Sequence, residues 1–310
     1  MVSKSDFVGK HFVSMGDYSR EELDFILDTA DQMVEIEKQG SDLCKGKVLA
    51  TLFFEPSTRT RLSFETAMLR LGGGVTTVAD PKTSSAAKGE TLEDTIRTVQ
   101  NYADIIAMRH PDNDSAIRAS KVAAVPFING GSGSLEHPTQ TVLDLHTIRY
   151  AKGGIDGLTI GLVGDLKHGR TVHSLLLALS NYDVKVICVA PEELKMKSEV
   201  LEAVNNKISV DETSDLKGAL PKLDIVYMTR VQRERFSDPE EYEKVKDSYV
   251  LDRALLKKYA KDDIVVMHPL PRVNEISTDV DPLPNAWYFR EVKHGVYARM
   301  AIIALALGVL

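Results

Sequence analysis

Arginine recurs just past the predicted strands of a chain that is otherwise acidic. The sequence has 310 residues, with 38 Lys and Arg against 45 Asp and Glu, and a net charge of −7. Guanidinium groups bind phosphates and carboxylates, and ligands of open α/β sheets bind beyond the carboxyl ends of the strands. The loops therefore predict a pocket for more than one anionic group. Five of the six loops that follow apolar runs carry arginine: 55–61, 109–110, 164–170, 229–232 and 268–272.

The strongest single signal is the sequence STRTR at 57–61, at a turn from strand to helix. Unpaired N–H groups and the positive dipole end of a helix favour phosphate there, and Ser, Thr and Arg side chains add donors. The alternative is a helix cap with solvated arginines. We favour the phosphate site for residues 57–60. For Arg61 we favour an ion pair with Glu65, four residues further on.

Arg109 and His137 are weaker signals by themselves. Arg109 ends a predicted strand, and in a parallel sheet it lies beside the 57–61 loop, which favours a ligand role over a surface position. His137 precedes a predicted helix, where it is either a structural histidine or a neutral imidazole that donates to a developing oxyanion.

Sequence patterns disfavour several cofactor classes. Gly161, Gly164 and Gly169 do not have the G-x-G-x-x-G spacing of a dinucleotide site, and there is no Walker A motif. His168 and His173 are five residues apart and do not share a helical face, so they do not predict a zinc site. We expect no metal and no organic cofactor.

The alternation of apolar runs and amphipathic segments predicts the fold class α/β, with two doubly wound domains, each with a mainly parallel sheet flanked by helices. One helical stripe runs from Phe64 to Leu71 and a second from Leu92 to Ala103. Asn129–Gly133 is interpreted as a glycine-rich loop, and helices are expected over about 137–151 and 295–310. The predicted strands are 48–54, 104–108, 122–128, 158–163, 184–190, 224–228 and 264–267, with a further strand near Val75–Val78.

Composition places the chain among cytoplasmic proteins that bind neither nucleic acid nor membranes. The hydrophobic fraction is 43%, the charged fraction 27% and the pI about 5.7. The amino terminus has no apolar run, and the run Met300 to Leu310 is too short to span a bilayer. Cys44 and Cys188 lie far apart in apolar surroundings, which suits a reducing compartment.

Several motifs together resemble the aspartate carbamoyltransferase family, catalytic chain, within the aspartate/ornithine carbamoyltransferase superfamily. STRTR alone marks the wider family, whereas Lys88, Arg230 with Gln232, and HPLP at 268–271 indicate the aspartate branch. The ornithine branch would have Cys after the late histidine and a Ser-Met-Gly loop. The motifs occur in order from about residue 10 to the C-terminus: EPSTRTRLSFE (55–65), KGE (88–90), RHP (109–111), HPTQ (137–140), GDLK (164–167), GRTVH (169–173), RVQ (230–232) and HPLPR (268–272).

The resemblance implies a carbamoyl phosphate-binding domain at 1–138, an aspartate-binding domain at 139–292 and a C-terminal helix at 293–310 that returns to the first domain. The residues implied to hold the phosphate are Ser57, Thr58, Arg59, Thr60 and Arg109. Those implied to polarise the carbamoyl carbonyl are Thr60, Arg109 and His137. Those implied to accept from the carbamoyl NH2 are Gln140 and the backbone carbonyls of Pro269 and Leu270. Those implied to bind the aspartate carboxylates are Arg170, Arg230 and Gln232.

Ser84 and Lys88 correspond to family residues that reach into a neighbouring subunit's site. They imply a homotrimer with shared active sites. In such a trimer, Ser84 and Lys88 would contact carbamoyl phosphate, and Lys88 would contact aspartate as well. The residues implied to act in catalysis are Arg59, Thr60, Lys88, Arg109 and His137. Some family members also assemble with separate regulatory chains. The sequence departs from the family at Gly130–Ser132, usually Ala-Gly-Asp, and at Ala87, where a second lysine is common.

The implied reaction transfers the carbamoyl group of carbamoyl phosphate to the α-amino group of L-aspartate, a step of pyrimidine biosynthesis. The products are N-carbamoyl-L-aspartate and phosphate, and the protein orients two anions and stabilises an oxyanion. No side chain is an evident general base. Three other functions stay open: a carbamoyltransferase with another amino-acid acceptor, a catalytically silent regulatory paralogue, and a nucleotide-binding oxidoreductase. The complete arginine set disfavours the second, and the missing fingerprint disfavours the third.

Overall fold

The computed structural model describes residues 2–80, 85–233, 236 and 238–310 of the chain. The described residues form two compact units. The first contains the residues up to His146 together with Val292–Leu310, and the second is Thr147–Glu291. The chain passes between them within two helices, α5 (Pro138–Lys152) and α11 (Tyr288–Leu307).

The first unit contains helices along a parallel sheet. Helix α1 (Arg20–Gln39) begins after a capping box in which Ser19 and Glu22 each accept from the other's backbone N–H. The further helices are α2 (Thr58–Arg70), α3 (Leu92–Val99) and α4 (Ser115–Val122). The strands are β1 (Val48–Phe53), β2 (Gly74–Val78), β3 (Ile105–His110) and β4 (Phe127–Ser132).

The strand order of the first sheet is β2-β1-β3-β4, and every pair is parallel. The chain leaves β1 toward β2 and later returns on the other side of β1 as β3. Neighbouring loops after β1 and β3 therefore diverge, which creates a crevice at the carboxyl ends of these strands. Phe53 at the end of β1 is in register with Arg109 of β3.

The second unit repeats this arrangement with one more strand. Its helices are α6 (Arg170–Leu179), α7 (Ser198–Val204), α8 (Leu216–Ala219), α9 (Pro239–Val245) and α10 (Arg253–Tyr259). Its strands are β5 (Thr159–Val163), β6 (Lys185–Val189), β7 (Ser209–Thr213), β8 (Ile225–Met228) and β9 (Val265–Met267).

The strand order of the second sheet is β7-β6-β5-β8-β9, again parallel throughout, so its switch point lies between β5 and β8. Gly164 follows β5 at φ +116, and a Cβ there would lie 2.3 Å from the carbonyl oxygen of Thr229. Glycine is required because the two loops approach each other this closely. The fold class predicted from the sequence is confirmed: two parallel sheets are flanked by helices.

Two of the predicted elements are wrong. The run 122–128 is mostly not a strand, because α4 extends to Val122 and β4 begins at Phe127. Of Asn129–Gly133, interpreted as a loop, residues 129–132 belong to β4, whose six residues are all buried. The sequence pattern also missed β7, an edge strand with exposed polar side chains, and it started α11 too late.

Each unit has its own core. Ala50, Ile106 and Phe127 belong to the first, and Val163, Val226 and Tyr288 belong to the second. Within the described ranges, no helix has both the length and the apolarity needed to cross a membrane.

Candidate active site

The STRTR sequence lies at the switch point of the first sheet, at the start of α2. Ser57 is the residue before the helix, and its hydroxyl makes no capping hydrogen bond to the helix backbone. The Ser57 Oγ instead accepts from Arg109 Nη1 at 3.2 Å. Thr58 and Arg59 are exposed, whereas Thr60 is buried. The first N–H groups of α2 are therefore not capped by Ser57, which suits an anion.

Arg109 is fixed by two partners that come from the loop after β1. Its Nε donates to Glu55 Oε2 at 2.9 Å, and its Nη1 donates to Ser57. Sequence reasoning assigned no role to Glu55. The sequence feature that could have identified Glu55 is an acidic residue between a strand and a basic loop. A carboxylate at such a position can hold an arginine side chain in one orientation.

Arg61 pairs with Glu65, as predicted from their spacing. Arg61 Nη1 lies 3.5 Å from Glu65 Oε1, and both side chains are partly buried on α2. This prediction is confirmed, and Arg61 is a structural residue of the helix.

His137 and Gln140 approach the same place from the start of α5. His137 Nε2 lies 3.4 Å from Thr60 Oγ1, and both residues are buried. Gln140 Nε2 donates to the fully buried Asp144 at 2.9 Å. Because the amide nitrogen faces Asp144, the Gln140 oxygen is the acceptor end directed elsewhere. The structure thus brings four predicted residues, Ser57 with Arg109 and Thr60 with His137, into two contacting pairs.

Lys88 lies apart from these contacts. It ends a short 3-10 helix, Ser85–Lys88, and is exposed. Within the described part of the chain it makes no ion pair. Ser84 lies outside the described residues.

Asp165 organises the switch point of the second sheet, and sequence reasoning gave it no role. It is fully buried and accepts from the backbone N–H of His168 at 3.0 Å and of Gln232 at 3.4 Å. The Nδ1 atom of His168 lies 3.1 Å from Asp165 Oδ1. The carboxylate therefore joins the loop after β5 to the loop after β8. The sequence feature that could have identified Asp165 is an acidic residue one position after the glycine that follows a buried strand.

Arg230 and Gln232 lie on the loop after β8, Arg170 lies directly after the loop that follows β5, and all three are partly exposed. Arg170 is the first residue of α6, and Gly169 before it has no side chain that could cap the helix. Helix N–H groups and two guanidinium groups at one sheet edge suit a ligand with two carboxylates.

The loop after β9 is held by a buried histidine. His268 Nδ1 accepts from Leu270 N–H at 2.8 Å, and His268 Nε2 lies 2.6 Å from Glu275 Oε1. Burial lowers the pKa of His268, which keeps the imidazole neutral between these partners. The bonding pattern fixes the tautomer with the proton on Nε2. Leu270 has φ +53, and it and Pro269 are half-buried.

Arg272 is the arginine of this loop that the family roles do not include. Its Nη2 donates to Asp281 Oδ2 at 2.6 Å, and its Nη1 donates to Asp281 and to the Tyr288 hydroxyl. The bidentate pair makes Arg272 a structural residue of the second unit. Across the described ranges, no group of three or more His, Cys, Asp or Glu residues could hold a metal ion.

Known proteins match this chain over almost its full length. Residues 10–150 match the model "Aspartate/ornithine carbamoyltransferase, carbamoyl-P binding domain", and residues 156–306 match "Aspartate/ornithine carbamoyltransferase, Asp/Orn binding domain". The chain is 53% identical over 308 residues to the aspartate carbamoyltransferase catalytic subunit of Thermococcus kodakarensis, covering 98% of this chain and 99% of the relative. It is 51% identical over 306 residues to that of Methanopyrus kandleri, with 98% and 99% covered.

Solved structures agree with these sequence matches. Aspartate transcarbamoylase from Trypanosoma cruzi, in complex with carbamoyl phosphate and aspartate, has a TM-score of 0.94 at 40% identity, with 99% of both chains covered. The catalytic subunit of M. jannaschii aspartate transcarbamoylase has a TM-score of 0.89 at 51% identity, with 95% of this chain and 97% of that chain covered.

Proposed function

Because this chain belongs to the aspartate/ornithine carbamoyltransferase family, we propose that it transfers the carbamoyl group of carbamoyl phosphate to L-aspartate. The products are N-carbamoyl-L-aspartate and phosphate. The observation that carries the choice of aspartate is end-to-end identity of 51–53% to relatives named for that substrate. The chain is thus an enzyme, and its reaction is that of the aspartate branch of the family.

The two units divide the substrates between them in this proposal. The first unit binds carbamoyl phosphate, and the second binds L-aspartate. Support comes from the domain names of the two matched family models and from the different chemistry of the two switch points. The expected domain limits at 138 and 292 fall close to the passages of the chain between the units at 146 and 291.

Phosphate is proposed to bind at the start of α2. Its donors are the hydroxyls, backbone N–H groups and guanidinium groups of Ser57, Thr58, Arg59, Thr60 and Arg109. The uncapped helix start and the fixed orientation of Arg109 support this role. An arginine that is already aligned loses little conformational entropy when the phosphate arrives.

The carbamoyl group is proposed to be read by Thr60, Arg109, His137 and Gln140. The buried pair Thr60 and His137 supplies donors to the carbonyl oxygen, and Gln140 supplies an acceptor for the NH2 group. The backbone carbonyls of Pro269 and Leu270 are further proposed acceptors, on the family resemblance alone. Acceptors placed for the NH2 group distinguish a carbamoyl group from an acyl group such as acetyl, which has no N–H donor.

L-Aspartate is proposed to bind through Arg170, Arg230 and Gln232, with Lys88 from a neighbouring subunit. Its amino nitrogen attacks the carbamoyl carbon, a tetrahedral oxyanion forms, and the C–O bond to phosphate breaks while the nitrogen loses a proton. Arg109 donates to the oxyanion and to the departing phosphate, so its charge stabilises both as they develop. The departing phosphate is the proposed proton acceptor.

The assembly we propose is a homotrimer with shared sites, to which each chain donates Ser84 and Lys88. The exposure of Lys88 at the end of a short helix supports a role outside its own chain. We also propose separate regulatory chains, because relatives carry the name "catalytic subunit". A cytoplasmic location is supported by two free, buried cysteines, Cys44 and Cys188.

A substrate panel tests the function. The purified chain is incubated with carbamoyl phosphate and, separately, L-aspartate, L-ornithine and related amines, and phosphate release is measured. We expect release with aspartate alone. Release with ornithine instead would place the chain in the other branch, and no release with any acceptor would indicate a silent paralogue. Arg109→Ala serves as the negative control.

A further inference from the structure

A buried guanidinium group joins three helices of the first unit. Arg299 of α11 is 2% exposed. Its Nη1 donates to Ser63 Oγ of α2 and to the carbonyl oxygen of Gly295, both at 3.1 Å. Its Nη2 donates to Thr139 Oγ1 of α5 at 3.4 Å. One side chain thus connects α2, α5 and the C-terminal helix.

The charge of Arg299 is retained despite its burial. The guanidinium carbon lies 5.0 Å from the centre of the Phe64 ring, a cation–π contact. Burial lowers the pKa of Arg299 to about 9, although Asp144 acts to raise it, so the group is still charged at pH 7. A buried cation is costly unless its partners are well placed. The Nη1 and Nη2 atoms have such partners, whereas Nε makes no hydrogen bond to the described residues.

Gly295 shows how closely this group fits. It lies inside α11, where glycine costs about 1 kcal/mol relative to alanine. A Cβ at this position would be 2.7 Å from Arg299 Nη1 and 3.2 Å from Leu143 Cδ2. The space that a side chain would take is already filled by the guanidinium group. A side chain at this position would have to displace the Arg299 guanidinium group and crowd Leu143.

Two of the three helices that Arg299 joins carry residues of the proposed carbamoyl site. Ser63 follows Thr60 by one helical turn, and Thr139 lies between His137 and Gln140. Asp144, which interacts with the Arg299 charge, also accepts from the amide of Gln140. We infer that Arg299 is a positioning residue: it fixes Thr60 relative to His137 and Gln140 and so aligns the groups that read the carbamoyl carbonyl and NH2. This inference rests on the proposed function.

Two threonines of α5 offer a matched pair of substitutions. Thr139 and Thr141 are both fully buried, but only Thr139 contacts Arg299; the Thr141 hydroxyl makes no hydrogen bond to the described residues. Thr139→Val keeps the shape and removes the acceptor. We expect it to lower kcat about 10-fold, since small misplacements of catalytic groups have effects of this size or larger. Thr141→Val should leave kcat unchanged.

Inorganic phosphate separates positioning from general loosening. It is proposed to bind at the start of α2, where it uses Thr60 and Arg109 but neither His137 nor Gln140, the two carbamoyl-reading groups next to Thr139. Thr139→Val should therefore leave the inhibition constant of phosphate, measured against carbamoyl phosphate, within about twofold of wild type while kcat falls. If kcat at 25 °C stays at the wild-type level and only the melting temperature drops, Arg299 is structural and the inference is wrong. A parallel loss of phosphate affinity and kcat would also overturn it.

Arg299→Lys and Gly295→Ala test the guanidinium group directly. Lysine retains the charge but cannot contact Ser63 and Thr139 together, so we expect only part of the activity to remain. Gly295→Ala leaves Arg299 in the sequence but displaces it, and kcat should fall by a similar factor as in Thr139→Val. Full activity in both variants would contradict the inference. All ratios are taken against wild type with aspartate, and an inactive wild type would refute the proposed function instead.

Discussion

The switch points of the two sheets use a carboxylate in different ways. In the first, Glu55 is partly exposed and pairs directly with Arg109, so it fixes the arginine side chain. In the second, Asp165 is fully buried and accepts backbone N–H groups of two loops, so it fixes the loops that carry Arg170 and Arg230. One topology therefore supports two functions. In the proposed function, the first aligns a single cation for charge that develops in the transition state, and the second shapes a surface for binding.

The buried histidines of the two units differ in a parallel way. In the first unit, His294 Nδ1 lies 2.9 Å from Nδ1 of His146, whose Nε2 lies 2.9 Å from Asp31. In the second unit, His268 contacts the carboxylate of Glu275. A second imidazole disfavours protonation, whereas a carboxylate favours it. Burial nevertheless lowers the pKa of both His294 and His268, so each unit contains a buried histidine whose protonation in acid opposes folding.

The largest effect is expected for Arg109→Ala. Loss of one preorganised oxyanion donor lowers kcat by about 100- to 1,000-fold, a far larger effect than the loss of stability expected from breaking the partly buried ion pair with Glu55. Steady-state kinetics and thermal unfolding measure the two effects. Arg118→Ala is the matched control, since it removes a partly buried arginine that pairs with Glu93 in the same unit. A folded Arg109→Ala enzyme with near-normal kcat would show that the first switch point is not preorganised for the transition state.

A smaller effect, confined to binding, is expected for Arg230→Ala. The aspartate carboxylate would lose a charge-assisted partner, which costs about 2–3 kcal/mol, or about 30- to 150-fold in the KM for aspartate. Calorimetry of carbamoyl phosphate without aspartate should show unchanged affinity. Arg253→Ala, an exposed arginine of the same unit, is the control. If carbamoyl phosphate binding is lost as well, Arg230 belongs with the phosphate ligands and the contrast between the switch points fails.

Mixing two inactive variants tests whether the first switch point is completed by another chain. Lys88→Ala damages the site to which a chain donates, whereas Arg109→Ala damages the site that a chain owns. In a cyclic trimer that contains both, about one site in three combines two intact halves. Co-refolding should therefore restore activity that neither variant has alone. Mixed trimers, verified by mass, that stay inactive would show that Lys88 does not act in a neighbour's site.

The smallest effect on activity, but a measurable one on stability, is expected from acid. Burial, together with His146, lowers the pKa of His294 from 6.5 to about 4, although Asp31 acts to raise it. The unfolded chain therefore binds a proton below pH 6.5 that the folded chain does not bind until about pH 4. The stabilisation is complete above pH 6.5, and about 3 kcal/mol is lost as the pH falls toward 4.

Hydrogen exchange of amides in α5 and α11 measures this loss, with the 265–280 segment of the second unit as the comparison. Asp31 of α1 contacts His146, and the Tyr297 ring of α11 packs against His294; Glu37 and Lys293 pair with each other, and Glu37 also accepts from the Tyr297 hydroxyl. His294→Gln should flatten the pH dependence in the first unit between pH 4 and 6.5. An unchanged pH dependence of α5 and α11 in His294→Gln would contradict the role assigned to His294, and the 265–280 segment should keep its wild-type pH dependence in this variant.

Strands that are buried on both faces were predictable from the sequence, and strands of other kinds were not. β1, β5 and β8 are continuous apolar runs, which the parallel sheet requires. β7 is an edge strand with polar side chains, so nothing in its sequence marks burial. β4 contains Asn129 and two glycines, residues typical of turns, and it forms a strand because β3 supplies hydrogen bonds along its side.

The residues of the candidate site also divide into those that the sequence predicted and those that it did not. Spacing within one loop predicted the helix start after 57 and the pair Arg61 and Glu65, since both depend on neighbours along the chain. Glu55, Asp165 and Arg299 received no role, because each acts through partners that are distant in sequence. Arg299 and Ser63 are 236 residues apart, and Asp165 and Gln232 are 67 apart.

The sequence by itself determined the fold class, the basic loops at the strand ends and the family to which they belong. Local periodicity and the residues that follow each strand encode these features, and they need no information on distant contacts. Only the tertiary structure decided which carboxylate fixes Arg109, which one joins the second pair of loops, and where the buried charge of Arg299 lies. The reason is physical: the free energy of a buried charge depends on partners that the folded chain brings to it, and residue type alone does not specify them.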